Sequence, residues 1–396
     1  MVNLEVVDPI SLISYLWNDI GISIPEKDVQ QYWRHHRQFG AKWALHSQAT
    51  EETVPLGLYG DSVKVRSTYQ GVEKMVGIFL SCPLFRPRSC RCSRWLLFAC
   101  QEELLYKHHT LDCVYMYLVW NLNQLFNGKY PRHGFNGAPL SVQGAARAGD
   151  WVCNSHRCFQ VTEIRGDWAW HKMIFRFNSS WKAGSNMPVC FKCRAYGTGP
   201  TQSLYYNIEE NSPCWQTEYA NVADFIAEQC PPSPCPLVFL KYFHQDLIKW
   251  CSMHTLNLGL CYSTNGGALM MLIEKSYFAS YQNENLQDIL DIVYARFRGF
   301  CKSMRITCSQ PPFTVKFVLK SLDEPMMTAK AYCGRVITEW LSHELVLATR
   351  GLLRGDLETR WVCVTVILAD TRLTLEFANA RLIKQVEFCG LTMFTA

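Results

Sequence analysis

A chain of 396 residues, 48% apolar and 18% charged, has a globular composition that excludes a disordered polymer. Its length suits one large domain or two to three ordinary ones. The formal net charge of +5, from 39 basic and 34 acidic side chains, excludes a histone-like tail yet permits a nucleic-acid partner. No run of about 18 apolar residues occurs and the longest candidates, 361–369 and 114–120, are too short, so no membrane span is expected.

Nineteen cysteines are many for such a chain. Their odd number, the 13 tryptophans available for a core, and an N-terminus without a basic stretch leading into an apolar one argue against a secreted disulfide framework. The expectation is an intracellular protein whose cysteines are reduced. Most would be buried as small hydrophobes, and a minority would bind metal.

Residues 1–50 read as an appended helical region. Pro25, Glu26 and Asp28 mark a helix start. Residues 31–46 interleave aromatic with basic side chains, a pattern that can contact phosphate and more often packs half-buried. Residues 54–66 (VPLGLYGDSVKVR) read as a strand bearing Asp61, and 74–85 (KMVGIFLSCPLF) as a second. Residues 95–100 suit a third strand or the opening of a helix. Leu104, Leu105, Leu111, Val114, Tyr115, Leu118, Leu122 and Leu125 recur mostly at three- and four-residue steps. That spacing predicts a long helix over 102–126, closed by the Gly/Pro-rich loop NGKYPRHGFNGAP. Residues 159–164 form a further strand running into Arg165-Gly166-Asp167, and 168–177 leave it as helix or strand. Residues 178–240 are loop-rich and carry Cys190, Cys193, Cys214, Cys230 and Cys235; beyond them, 286–300 and 329–347 are the clearest helices.

The order strand, strand, strand, long helix, strand can bring Asp61 and Asp167 together over one mixed sheet, although about a hundred residues separate them. Carboxylates suit Mg²⁺ or Mn²⁺ because these hard cations prefer oxygen ligands. Two such cations roughly 3.5–4 Å apart serve phosphodiester chemistry. Gly60-Asp61 and Gly166-Asp167 are equally turn dipeptides.

Five short pieces occur in a telling order. They are Tyr59-Gly60-Asp61-Ser62, the run from Arg86 to Arg94 (RPRSCRCSR), Arg165-Gly166-Asp167, Cys190-Phe-Lys-Cys193, and Cys251-Ser-Met-His254. In these the chain resembles the DDE transposases of the ribonuclease-H-like class, especially the Plavaka-like members of the Kyakuja–Dileera–Zisupton group, over about residues 54–260. The resemblance implies an α/β fold in four parts: the helical region 1–50, a ribonuclease-H-like mixed sheet over 51–180, a cysteine-rich zinc-knuckle insertion over 181–260, and a mostly helical remainder over 261–396. It further implies metal-dependent DNA strand cleavage and transfer, with Asp61 and Asp167 as the first two catalytic acids on Mg²⁺ or Mn²⁺. DNA would be the partner and the nucleus the place, and self-assembly into a homo-oligomer stays open. The third acid, a Glu on a late helix, falls to Glu339, with Glu344 on the same stretch. About 140 residues follow the CxxH piece, which is short for an insertion plus a final helix and suits a truncated or domesticated member.

CxxC followed at a distance by CxxH is zinc-ligand spacing, so Cys190, Cys193, Cys251 and His254 are the candidate Zn²⁺ ligands. Cys153, His156 and Cys158 offer a rival half, and a cysteine-rich chain also produces such pairs by chance. Asp246 fits a helix start better than a ligand. Arg86, Arg88, Arg91 and Arg94 fall within nine residues without an acid, which gives salt-sensitive phosphate attraction or, equally, a solvated face. Trp168, Trp170 and His171 fit a core better than a base-stacking or catalytic role. No P-loop, dinucleotide fingerprint or GxSxG piece is present. Three functions therefore compete: a transposase-like nuclease, a catalytically inactive zinc-stabilised module binding DNA or protein, and a structural cysteine-rich α/β protein.

Overall fold

The computed structural model describes residues 4–69, 71–180, 187–198, 204, 219, 221–251, 253–278, 285–321 and 324–351. The apolar stretch 361–369, the rest of the expected C-terminal region from 352, and Cys214 lie outside the described residues. The chain divides into two compact units, Met1–Trp250 and Cys251–Ala396.

Three helices open the first unit. The Asp8 carboxylate caps α1 (Pro9–Ser14) by accepting the Ser11 amide at 2.6 Å. α2 (Glu26–Gln38) starts behind Pro25, and α3 (Lys42–His46) follows after Gly40 takes a left-handed φ of 69°. Their aromatic residues face inward: Trp33 and Trp43 are buried, and Trp33 Nε1 donates to the Thr53 carbonyl at 2.7 Å. Arg34 stays at the surface in a 2.8 Å ion pair with Glu51. The basic, aromatic run 31–46 therefore packs.

Among the described residues, five strands form one mixed sheet in the order β3-β2-β1-β4-β5. β1 (Val54–Thr68), β2 (Gly71–Ser81) and β3 (Arg94–Gln101) pair antiparallel, with Asp61 opposite Gly77. β4 (Phe159–Arg165) and β5 (Ile248–Lys249) add parallel on the other side of β1, with Tyr59 opposite Arg165 and Arg165 opposite Lys249. Side chains alternate as a pleated strand requires. Leu56, Leu58, Val76, Ile78 and Leu80 are buried on one face, while Tyr59, Asp61 and Phe79 on the other are half-exposed. β2 ends at Ser81, short of residue 85, because Pro83 has no amide to donate. β4 is buried throughout Phe159–Ile164, the mark of a strand covered on both faces.

α4 (Lys107–Asn127) carries the long periodic run and packs against β4 and α1. Its expected first residues form instead a short 3₁₀ turn, Glu102–Leu104, which leaves Leu104 exposed. α5 (Val142–Arg147), α6 (Trp168–Phe175) and α7 (Val222–Gln229) complete the unit.

The second unit is mostly helical over its described residues. It comprises α8 (Cys261–Glu274), α9 (Leu286–Ser303), α10 (Val315–Val318), the small hairpin β6 (Leu319–Ser321) and β7 (Glu324–Pro325), and α11 (Ala331–Arg350). Trp340 of α11 meets Phe297 of α9 at a 5.5 Å centroid separation, and Phe313 packs 5.4 Å from Phe297. Thr338 of α11 donates its hydroxyl to Asn265 of α8 at 3.0 Å. Several cysteines fill these cores as buried thiols, among them Cys82, Cys235, Cys261 and Cys333. Burial pushes the Cys82 thiol up to about 11. No helix among the described residues is long and apolar enough to cross a membrane.

Candidate functional site

Asp61 lies on β1, and Asp167 follows the end of the neighbouring parallel strand β4 by two residues. The β1–β4 register pairs Tyr59 with Arg165. Each acid stands two residues beyond that pair, and a Cβ built on Gly166 would lie 3.1 Å from the Gly60 carbonyl oxygen, so the backbones just before the two acids are neighbours. Alternation along β1 puts Asp61 on the half-exposed face, and both acids are half-buried. Asp61 Oδ2 accepts the Tyr59 hydroxyl at 2.6 Å, and its Oδ1 accepts the Ser62 amide at 2.8 Å. Asp167 is the N-cap of α6, its Oδ1 accepting the Trp170 amide at 2.6 Å. That cap explains why residues 168–175 turn helical. Each carboxylate keeps acceptor positions beyond these bonds, since two oxygens offer about four lone-pair sites.

The same face carries charges that the strand pattern did not single out. Glu163, two residues before Arg165 on β4, is buried opposite Gly57 and accepts from Arg165 Nη2 at 2.6 Å. Burial raises its carboxyl above the usual range, and the Arg165 charge opposes the shift. Lys249 of β5 falls to about 8, first through burial and then through the nearby Lys192 ammonium, while Asp246 and Glu163 pull the other way. Tyr32 of α2 donates its hydroxyl to Thr162 at 2.9 Å and ties that helix to β4. The available signal was a charged residue, Glu163, within an otherwise uncharged strand core, and only pairing reveals its burial.

Arg86 and Arg88 lie between β2 and β3, Arg91 sits in a 3₁₀ turn, Cys90–Ser93, and Arg94 begins β3. All four are exposed. None of them joins an ion pair among the described residues. Arg94 alone is tied to the acids, its guanidinium lying 4.3 Å from the centre of the Tyr59 ring. Trp170 and His171 are buried, as expected of core residues, and Trp168 stacks on Phe191 and Trp250 at 5.7 and 5.9 Å.

The metal-ligand candidates stand as two pairs. In the first unit the Cys190 thiol is lowered to about 6, chiefly by a hydrogen bond with Cys193, against the effect of burial. The Lys192 amide donates to Cys190 Sγ at 3.3 Å, and the Lys192 ammonium sits 3.5 Å from Asp246. In the second unit His254 Nδ1 lies 3.2 Å from Cys251 Sγ. Among the described residues no group of three or more His, Cys, Asp or Glu gathers to hold a metal ion. Of the candidate third acids, Glu339 is half-buried on α11 of the second unit. Glu344 is buried there and accepts from Trp340 Nε1, Tyr277 and Arg296.

Comparison with protein-family models finds no match, and none of the curated proteins matches the chain.

Proposed function

We propose that the first unit is a ribonuclease-H-like, transposase-type core that binds DNA and takes a divalent cation at Asp61 and Asp167. The observation that carries this reading is the parallel pairing of β1 with β4 up to Tyr59 and Arg165, with Asp61 and Asp167 each two residues further on and the Gly60 and Gly166 backbones adjacent. The resemblance implies a mixed sheet, and the five strands, three antiparallel beside two parallel, are consistent with it.

The residues fit one cation. Mg²⁺ is commonly held by one or two carboxylates, with waters and substrate phosphate completing its shell. Bound there, it would polarise a phosphoryl oxygen and make a nucleophile of water. Tyr59 and Ser62 orient Asp61, the α6 cap orients Asp167, and Arg94 stands beside Tyr59 to meet a phosphate. Arg86, Arg88 and Arg91 extend the basic stretch that leads into β3 and would attract the backbone without reading sequence.

Strand cleavage and transfer require a third acid, with Glu339 as the candidate. A second reading, a DNA- or protein-binding module without catalysis, is favoured by one observation: no third carboxylate joins Asp61 and Asp167 among the described residues. Zinc belongs to both readings. Each of the pairs Cys190–Cys193 and Cys251–His254 offers two of the four ligands a structural zinc takes.

The deciding experiment is Mn²⁺-dependent nicking of supercoiled DNA by the full chain, with Asp61→Ala and Asp167→Ala as controls. Nicking that both substitutions abolish supports the catalytic reading, and nicking that both leave unchanged overturns it. Salt-sensitive DNA binding without nicking selects the second. Metal analysis under reducing conditions tests zinc, and a sample without stoichiometric metal ends that part.

A further inference from the structure

Gly60 and Gly166 each stand one residue before an acid of the proposed site, and a single side chain covers both. A Cβ on Gly60 would fall against Cε2, Cζ2 and Nε1 of the Trp170 indole. One on Gly166 would lie 3.0 Å from Trp170 Cγ and 3.1 Å from the Gly60 carbonyl oxygen. The two backbones are therefore neighbours beneath one ring, and no larger residue fits at either place. Trp170 is 3% exposed, so water does not loosen this packing. Its own amide also donates to Asp167 Oδ1 at 2.6 Å. The same residue thus fixes the Asp167 carboxylate through its amide and spans the chain segments of both acids with its ring.

We propose that Trp170 sets the spacing of Asp61 and Asp167 and thereby gives the site its preference for a small divalent cation, Mg²⁺ or Mn²⁺, over Ca²⁺. This rests on the cation reading above. Mg²⁺ demands near-ideal octahedral geometry at about 2.0–2.1 Å, whereas Ca²⁺ accepts longer bonds of about 2.3–2.6 Å in flexible arrangements. A stiff pair of carboxylates favours the first ion, and a pair free to drift loses that preference. Trp170 acts through the acids and does not touch the cation, which makes it a positioning residue.

The test measures Mn²⁺ and Ca²⁺ affinities of the full chain, reading free Mn²⁺ by paramagnetic resonance and Ca²⁺ by competition. Wild type, Asp61→Ala, Trp170→Phe and Trp170→Leu are compared, each checked by near-ultraviolet circular dichroism and thermal melting. Wild type should prefer Mn²⁺, and Asp61→Ala should lose the site. Trp170→Leu should weaken Mn²⁺ about tenfold or more and Ca²⁺ less than about threefold, on the scale of residues that orient metal ligands, with Trp170→Phe in between. A wild type that binds Mn²⁺ no better than Asp61→Ala removes the cation reading itself. A site that Asp61→Ala abolishes, with an Mn²⁺-to-Ca²⁺ ratio unmoved by either Trp170 substitution, overturns the Trp170 proposal alone. Should the Leu variant fail to fold, the Phe variant keeps a ring beside the glycines and decides by the same ratio.

Discussion

Glu344 in the second unit and the Asp61–Asp167 pair in the first are acids held in contrasting ways. Glu344 is 5% exposed and accepts from Trp340 Nε1 at 3.1 Å, from the Tyr277 hydroxyl at 3.1 Å and from Arg296 at 3.0 Å. Two of those donors come from positions about fifty or more residues away in the chain, so the bonds join α11 to α9 and to the segment after α8. Asp61 and Asp167 take their donors from within three residues, namely Tyr59, Ser62 and Trp170. Local donors orient a carboxylate without linking distant elements, and they leave lone pairs facing an open surface. An acid bonded across the fold contributes to its stability, whereas one bonded only to its neighbours holds its own turn or cap and, on the proposed reading, keeps acceptor positions for a cation.

The largest effect should come from removing the poised acids. Asp61→Ala is expected to reduce Mn²⁺ affinity by more than about a hundredfold, beyond the tenfold to hundredfold cost of disturbing a mere orienting residue. Asp167→Asn sharpens the point, because the amide oxygen can still cap α6 while the charge is gone. It should lose the cation with little change in melting, whereas Asp167→Ala should also lose about 1 kcal/mol of cap stability. Retained Mn²⁺ binding in Asp61→Ala and Asp167→Asn would erase the contrast with Glu344.

Glu344→Ala should do the reverse. Three donors lose their acceptor, at a cost of about 1–3 kcal/mol in denaturant unfolding, while Mn²⁺ affinity stays at the wild-type value. A loss of Mn²⁺ binding in this variant would mean that Glu344 is not simply structural.

Acid should weaken the first unit through two rings, His171 buried and His36 half-buried. His36 and His171 are both lowered to about 4, burial being the largest cause in each. Their folded values lie below the unfolded one near 6.5, so the unfolded chain binds more protons between those limits. The stability they confer is complete above about pH 6.5 and is lost as pH falls toward 4, on the order of 1–2 kcal/mol per ring at pH 5. Urea midpoints at pH 7 and pH 5 measure it, and His171→Asn should shrink the difference. An unchanged difference would show that His171 does not titrate with unfolding.

The smallest effect concerns the arginines. Replacing Arg86, Arg88 and Arg91 together by Ala should weaken DNA binding uniformly across sequences and reduce the salt slope by about three, one for each phosphate no longer neutralised. Arg94→Ala should in addition free the Tyr59 ring and disturb Mn²⁺ affinity a few-fold. An unaltered slope in the triple variant would return those arginines to a plain solvated face.

The amino-acid sequence alone determined the kind of most elements near the site. The short valine- and aromatic-containing apolar runs over 54–66 and 74–85 read as strands. Three- and four-residue spacing specifies α4, and Asp61 falls within β1 while Asp167 lies just beyond the end of β4. It left 95–100 and 168–177 open between helix and strand, since short apolar runs fit either. Pairing with β2 settles the first, and the Asp167 cap settles the second. Only the tertiary structure decided the strand order, the recruitment of Ile248–Lys249 as β5, the burial of Glu163 and the covering of Gly60 and Gly166 by Trp170. Each of these depends on which segments meet across long stretches of chain. Two residues of strand have no period to read, and a glycine records the absence of a side chain but not the neighbour that requires it.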